Sequence, residues 1–153
     1  MLNTLYNEKI LGFAAHIGQT EPLPGADVTV THHSPLCGSR ITVALKVADG
    51  RVSGYSQTLR ACALGQAAAA IFGAHVVGQD AATLRTLLAR MRAMLKDGAP
   101  PPGPELAGGA FSDLEVLTPV RDHKARHNAV LLPFEATVKA LDQLEAGSPR
   151  SAG

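Results

Sequence analysis

Between Leu2 and Ile17, the apolar residues Leu2, Leu5, Tyr6, Ile10, Phe13, Ala14 and Ile17 recur about once per helical turn, and Gly18 stands where a helix would stop. The spacing predicts an amphipathic N-terminal helix. Glu21-Pro-Leu-Pro-Gly25 reads as a loop, after which Val28 to His32 alternates branched apolar with polar side chains as a strand does. Ile41 to Val47 alternates in the same way. It is separated from Arg51 to Gln57 by Ala48-Asp-Gly50, in which Asp49-Gly50 supplies a hairpin turn with positive φ. Three neighbouring strands in this order predict an antiparallel meander.

After Cys62 the period changes. Ala63-Leu-Gly-Gln-Ala-Ala-Ala-Ala-Ile-Phe72 is too rich in alanine for a strand and suits a helix held close to a sheet, with Cys62 at or near its N-terminus. Asp80 can cap a further helix, in which Leu84, Leu87, Leu88, Met91 and Leu95 line one face and which Gly98 ends. Ala99-Pro-Pro-Pro-Gly-Pro104 must be extended, because successive prolines fix φ and remove backbone donors. The last structured region is expected from about Arg126 to Leu144. Its helix would begin at Leu132, so that Pro133 falls in the first turn. The whole predicts an α+β fold: a three-stranded antiparallel sheet with helices packed on one face, in a single domain over residues 1–146 with a frayed tail at 147–153.

At 153 residues the chain is long enough for one cored domain, and 46% apolar residues with 4% aromatic mean that the core is built from Leu, Val, Ile and Ala. The formal net charge of +1 provides no strong field for nucleic acid or an anionic membrane. No apolar run approaches the roughly 20 residues needed to span a bilayer. Residues 1–9 lack a basic stretch followed by an apolar one, so a cytoplasmic, thiol-reducing setting is expected. No phosphate-binding glycine loop or Ser-His-Asp constellation occurs, and an enzyme is not expected.

Two cysteines remain as the candidate chemistry. Cys37 lies in Ser34-Pro-Leu-Cys-Gly-Ser39, a tight polar bend between strands, and Cys62 lies where the third strand gives way to a helix whose free amides favour an anionic sulfur. Two thiols this far apart in the chain also read as small buried hydrophobes. Their neighbours distinguish the readings. Ser34-Pro-Leu-Cys-Gly38, Ile41-Thr-Val-Ala-Leu-Lys-Val-Ala-Asp-Gly50 and Arg60-Ala-Cys-Ala-Leu64 together resemble the signature of the U-type iron-sulfur cluster assembly scaffolds, the IscU, SufU and NifU N-terminal family. The resemblance runs from the Leu5 to Ile10 segment to about Leu141.

That resemblance implies a scaffold on which persulfide sulfur from a cysteine desulfurase and iron are combined before transfer to recipient proteins, with the cluster or a zinc ion held by three cysteines and an aspartate. Cys37 and Cys62 match the first two cysteines. Ser39 stands where the aspartate is usual, and the third cysteine is absent. Aligning Ala125-Arg-His-Asn-Ala-Val-Leu-Leu132 with the family's Arg-x-x-Cys-x-x-Leu segment puts Ala129 in its place. A competing register through Pro119-Val-Arg-Asp-His-Lys124 puts Lys124 there and His123 before it.

Iron-sulfur clusters and zinc generally take four ligands, so His123 or His127 is expected to supplement the two sulfurs, with a homodimer as another source. Each histidine also reads as an ordinary polar surface residue, and His32-His33 as a strand-end pair. Arg60, Arg121 and Arg126 are expected around the site. A degenerate, metal-free binding module for a desulfurase and a persulfide relay are the competing functions.

Overall fold

The computed structural model describes residues 7–34 and 38–147. Helix α1 spans Glu8–Ala14, beginning where the Asn7 side chain accepts a hydrogen bond from the Ile10 amide at 2.9 Å. It is shorter than the apolar spacing predicts. Leu2, Leu5 and Tyr6 lie outside the described residues, and the helix already closes where the Ala15 amide donates to the Leu11 carbonyl and the His16 amide to the Phe13 carbonyl.

Strands β1 (Val28–His33), β2 (Arg40–Ala48) and β3 (Arg51–Arg60) form one antiparallel sheet in the order β1-β2-β3, with registers that pair Val30 with Val43 and Val43 with Gln57. Asp49 and Gly50 turn the β2-β3 hairpin with φ of 55° and 77°, the positive-φ pair that a two-residue turn requires. Alternation, shifted in phase once in β3 by an irregularity in its pairing at Lys46/Val47, fixes the faces: Val30, Ile41, Val43, Leu45, Val52 and Tyr55 are buried toward the helices, while Thr29, Thr31 and Thr58 face outward. The outer edge of β3 is covered. The Gln57 amide donates to the Gln19 carbonyl, Val52 to Gln79, and Gly78 to Val52. β1 forms the other edge, with no strand beyond it among the described residues.

Helix α2 (Ala63–His75) is buried on nearly every side, from Leu64 through Gly73, which is why its composition is small residues rather than an amphipathic stripe. Gln57 ties it to the sheet through a donation from Nε2 to the Ala69 carbonyl at 3.2 Å. Phe72 sits at the centre of the aromatic contacts, with ring centroids 5.8 Å from Tyr55, 6.0 Å from Phe111 and 5.1 Å from Phe134. Helix α3 (Ala81–Asp97) has the boundaries its sequence predicts, capped by the Asp80 carboxylate on the Thr83 amide and ended by Gly98 in the left-handed region.

Two segments differ from expectation. Residues 105–123, for which the helical and strand periods give no element, contain the 3-10 segments Ala107–Gly109 and Ser112–Asp122. Helix α4 spans Lys124–Ala146, starting two turns earlier than a start at Leu132, so Pro133 lies in its interior. A proline there deprives the carbonyl four residues back, that of Ala129, of its helical donor and presses on it. The neighbouring helix passes close to that carbonyl: a Cβ built on Gly65 would lie 3.0 Å from the Ala129 oxygen and 2.8 Å from the Ala61 Cβ, so glycine lets α2 pass it.

Candidate functional site

Cys62 is the N-cap residue of α2, and its carbonyl accepts the first helical bond from the Gln66 amide at 2.9 Å. Its sulfur makes no capping hydrogen bond, so the first-turn amides receive no acceptor from the cap. The thiol is half-buried and lines a cavity of about 260 Å³ with Gly38, Ser39, Arg60, Ala61 and Arg126. Three parts of the fold meet there: the β1-β2 connection, the end of β3 leading into α2, and the first turn of α4.

The β1-β2 connection is closed by the Ser34 amide donating to the Ser39 carbonyl at 2.8 Å, and Ser39 is buried. Cys37 lies outside the described residues; Gly38 and Ser39, which follow it, line the same cavity as Cys62. Gly38 has a φ of 73°. Arg60 and Arg126 are exposed, and neither takes part in an ion pair among the described residues. Arg40 stands directly across from Arg60 on the neighbouring strand.

The structure sets the two histidines apart from this cavity. His127 is buried, and its Nε2 hydrogen donates to the carbonyls of Val120 at 3.0 Å and Arg121 at 3.1 Å, closing the end of the second 3-10 segment. It lines a different cavity, of about 390 Å³, with Leu95, Lys96, Arg121, Lys124 and Asn128. His123 is exposed at the junction before α4 and lines neither. Arg121 likewise turns away from Cys62, donating to the Ala99 carbonyl at 3.0 Å. His32, read as one of a strand-end pair, bonds Glu135 at 3.1 Å, and Arg92 holds the other oxygen of that carboxylate at 3.1 Å.

Two positions bear on the missing third sulfur. Ala129 is buried one helical turn beyond Arg126, against the start of α2, whereas Lys124 lines the His127 cavity. Neither position lines the cavity beside Cys62. Among the described residues no three of His, Cys, Asp and Glu gather closely enough to hold a metal ion. The close passage of α2 over Ala129 was missed from the sequence; its signal is the pairing of a helix-interior proline with a glycine on another helix.

No family model matches the chain. The iron-sulfur cluster assembly scaffold protein IscU of Thermotoga maritima is 23% identical over 140 residues, covering 92% of this chain and 94% of that protein. The crystal structure of a nitrogen-fixing NifU-like protein (N-terminal) from Brucella abortus superposes with a TM-score of 0.89 at 39% identity, over 95% of this chain and 97% of that one. A protein described as a candidate scaffold for the SUF system of Fervidobacterium islandicum shares the fold, with a TM-score of 0.79 at 16% identity over 92% and 99% of the two chains.

Proposed function

Because the chain belongs to the U-type iron-sulfur cluster assembly scaffold family, we propose that it holds iron or a labile iron-sulfur cluster in transit, with Cys62 and Cys37 as its ligands. The observation that carries this reading is the position of Cys62, partly exposed on a cavity that Gly38 and Ser39, the residues following Cys37, also line. Sulfur and iron are cargo here, received from a cysteine desulfurase and an iron source and passed to recipient proteins. The chain acts as a carrier rather than a catalyst.

The ligand chemistry favours soft, exchangeable binding. Thiolates suit iron-sulfur clusters and zinc, whereas the Ser39 hydroxyl is a poor ligand until deprotonated. Two protein sulfurs leave the remaining coordination positions of a cluster or of zinc to be filled from outside the chain. Such a site releases its cargo more readily than a closed four-ligand cage.

Anaerobic reconstitution with iron and sulfide is expected to give visible absorption that is lost in both Cys37→Ala and Cys62→Ala. Unchanged spectra in the two variants would reject cysteine ligation. Zinc added in place of iron is expected to bind with the same dependence on the two thiols.

A second reading has its own support: Ser39 and Ala129 stand in place of two family ligands, as in a metal-free module that binds a desulfurase. Recovery of a desulfurase in a pull-down, equally with and without the two thiols, together with no metal uptake, would favour it over the carrier.

A further inference from the structure

The cavity beside Cys62 carries positive charge where a site built for a bare cation would carry anionic oxygen. Of the described residues that line it none is acidic, two are arginines, and neither arginine is ion-paired among the described residues. Arg40 directly opposes Arg60. Like charges across neighbouring strands repel, and an anion seated beside them relieves that repulsion.

The cavity is also larger than an ion requires. Its 260 Å³ is several times the share of about 30 Å³ that one water occupies in the liquid, so a small organic molecule fits. A guanidinium offers forked N–H donors that match a carboxylate. The ligand shell has the complementary need, since two cysteines leave coordination positions that thiolates usually fill.

We infer that the Arg60 and Arg126 cavity binds the carboxylate of a small non-protein thiol, whose sulfur joins Cys62 in holding the iron cargo. This rests on the carrier reading above. The step is ligation alone: the thiol releases its proton to solvent as its sulfur bonds to iron, and nothing is oxidised or reduced. Charge on the co-ligand therefore decides how well cargo is held.

Two measurements test this, one of them without metal. Alkylation of Cys62 by iodoacetate and by iodoacetamide, followed by peptide mass analysis, reports the preference for a carboxylate at the sulfur. Arg60→Gln and Arg126→Gln are each expected to lower the iodoacetate-to-iodoacetamide rate ratio by roughly two- to fivefold, the effect of one exposed charge pair. Lys139→Gln, an equal change in net charge on an exposed position elsewhere, is expected to leave the ratio unchanged. A ratio that is the same in wild type and both arginine variants overturns the carboxylate subsite.

In the second measurement, the full chain is reconstituted anaerobically with iron, sulfide and either 3-mercaptopropionate or uncharged 2-mercaptoethanol. The expected result is slower cluster loss with 3-mercaptopropionate, a native mass that includes that thiol, and disappearance of the difference in the arginine variants. Equal retention with both thiols, or a dimer whose cluster has only protein sulfur ligands, overturns the inference while leaving the carrier reading intact. Absence of a cluster with either thiol overturns both.

Discussion

Replacing Gly65 by alanine tests the link between Pro133 and the packing of α2 on α4. The added methyl would lie 2.8 Å from the Ala61 Cβ and 3.0 Å from the Ala129 oxygen. Both obstacles are short and one is backbone, so no side-chain rotation clears them. Overpacking costs about 1–3 kcal/mol, and a 2.8 Å contact that cannot rotate away puts this change toward the upper end, about 2–3 kcal/mol. Relief from glycine's poor helix propensity returns at most about 1 kcal/mol, leaving a net loss of about 1–2 kcal/mol. For a domain of this size that lowers the melting temperature by about 2–8 °C. Urea denaturation followed by circular dichroism measures it, with Gly12→Ala as the internal control. Gly12 has nothing within 4 Å of a built Cβ, so that change is expected to be neutral or stabilising. A Gly65→Ala midpoint equal to or above wild type would refute the requirement for glycine beside the Ala129 carbonyl.

His127→Phe removes the donor to the Val120 and Arg121 carbonyls and is expected to cost about 1–3 kcal/mol in urea denaturation while leaving metal uptake at Cys62 unchanged. The Asp80 carboxyl is held below its ordinary range, chiefly by the hydrogen bond from the Thr83 amide. A group depressed on folding contributes its stability above the unfolded value of about 3.9 and loses it as pH falls through the lower folded value. The gap in urea midpoint between wild type and Asp80→Ala is therefore expected to be full at pH 7 and to shrink below pH 4. Arg85 reaches Asp142 at 2.6 Å and Glu145 at 3.2 Å, but all three side chains are well exposed. Thermal denaturation of Arg85→Ala is accordingly expected to show a loss under about 1 kcal/mol that shrinks further in high salt.

The parts of the fold legible from sequence are those whose signals are local. Asp49-Gly50 dictates its turn by backbone conformation, and Asp80 and Gly98 bracket α3 through hydrogen bonds made within a few residues. The change from β3 to α2 at Cys62 was legible for the same reason. Helix α4 was not, because Pro133 is a local stop signal that a distant glycine answers. The 3-10 segment follows neither the strand period of 2 nor the helical period of 3.6. Its signal is the spacing of three that places Phe111, Leu114, Leu117 and Val120 in the core, the repeat of a tighter helix. At the site, the sequence identified Cys62, Arg60 and Arg126, which the fold brings together, and named His127 without revealing that two carbonyls engage it. A histidine's partner is a tertiary fact, fixed by where the preceding segment ends.

The covered flank of β3 sets a limit on how copies of this chain can join through their backbones. With Gln19, Gly78 and Gln79 taking hydrogen-bonding positions at Val52 and Gln57 on one flank, β1 is, among the described residues, the flank left to accept an incoming strand. A second molecule zipped onto β1 through its own β1 would leave both outward flanks shielded, so growth by strand addition ends at two.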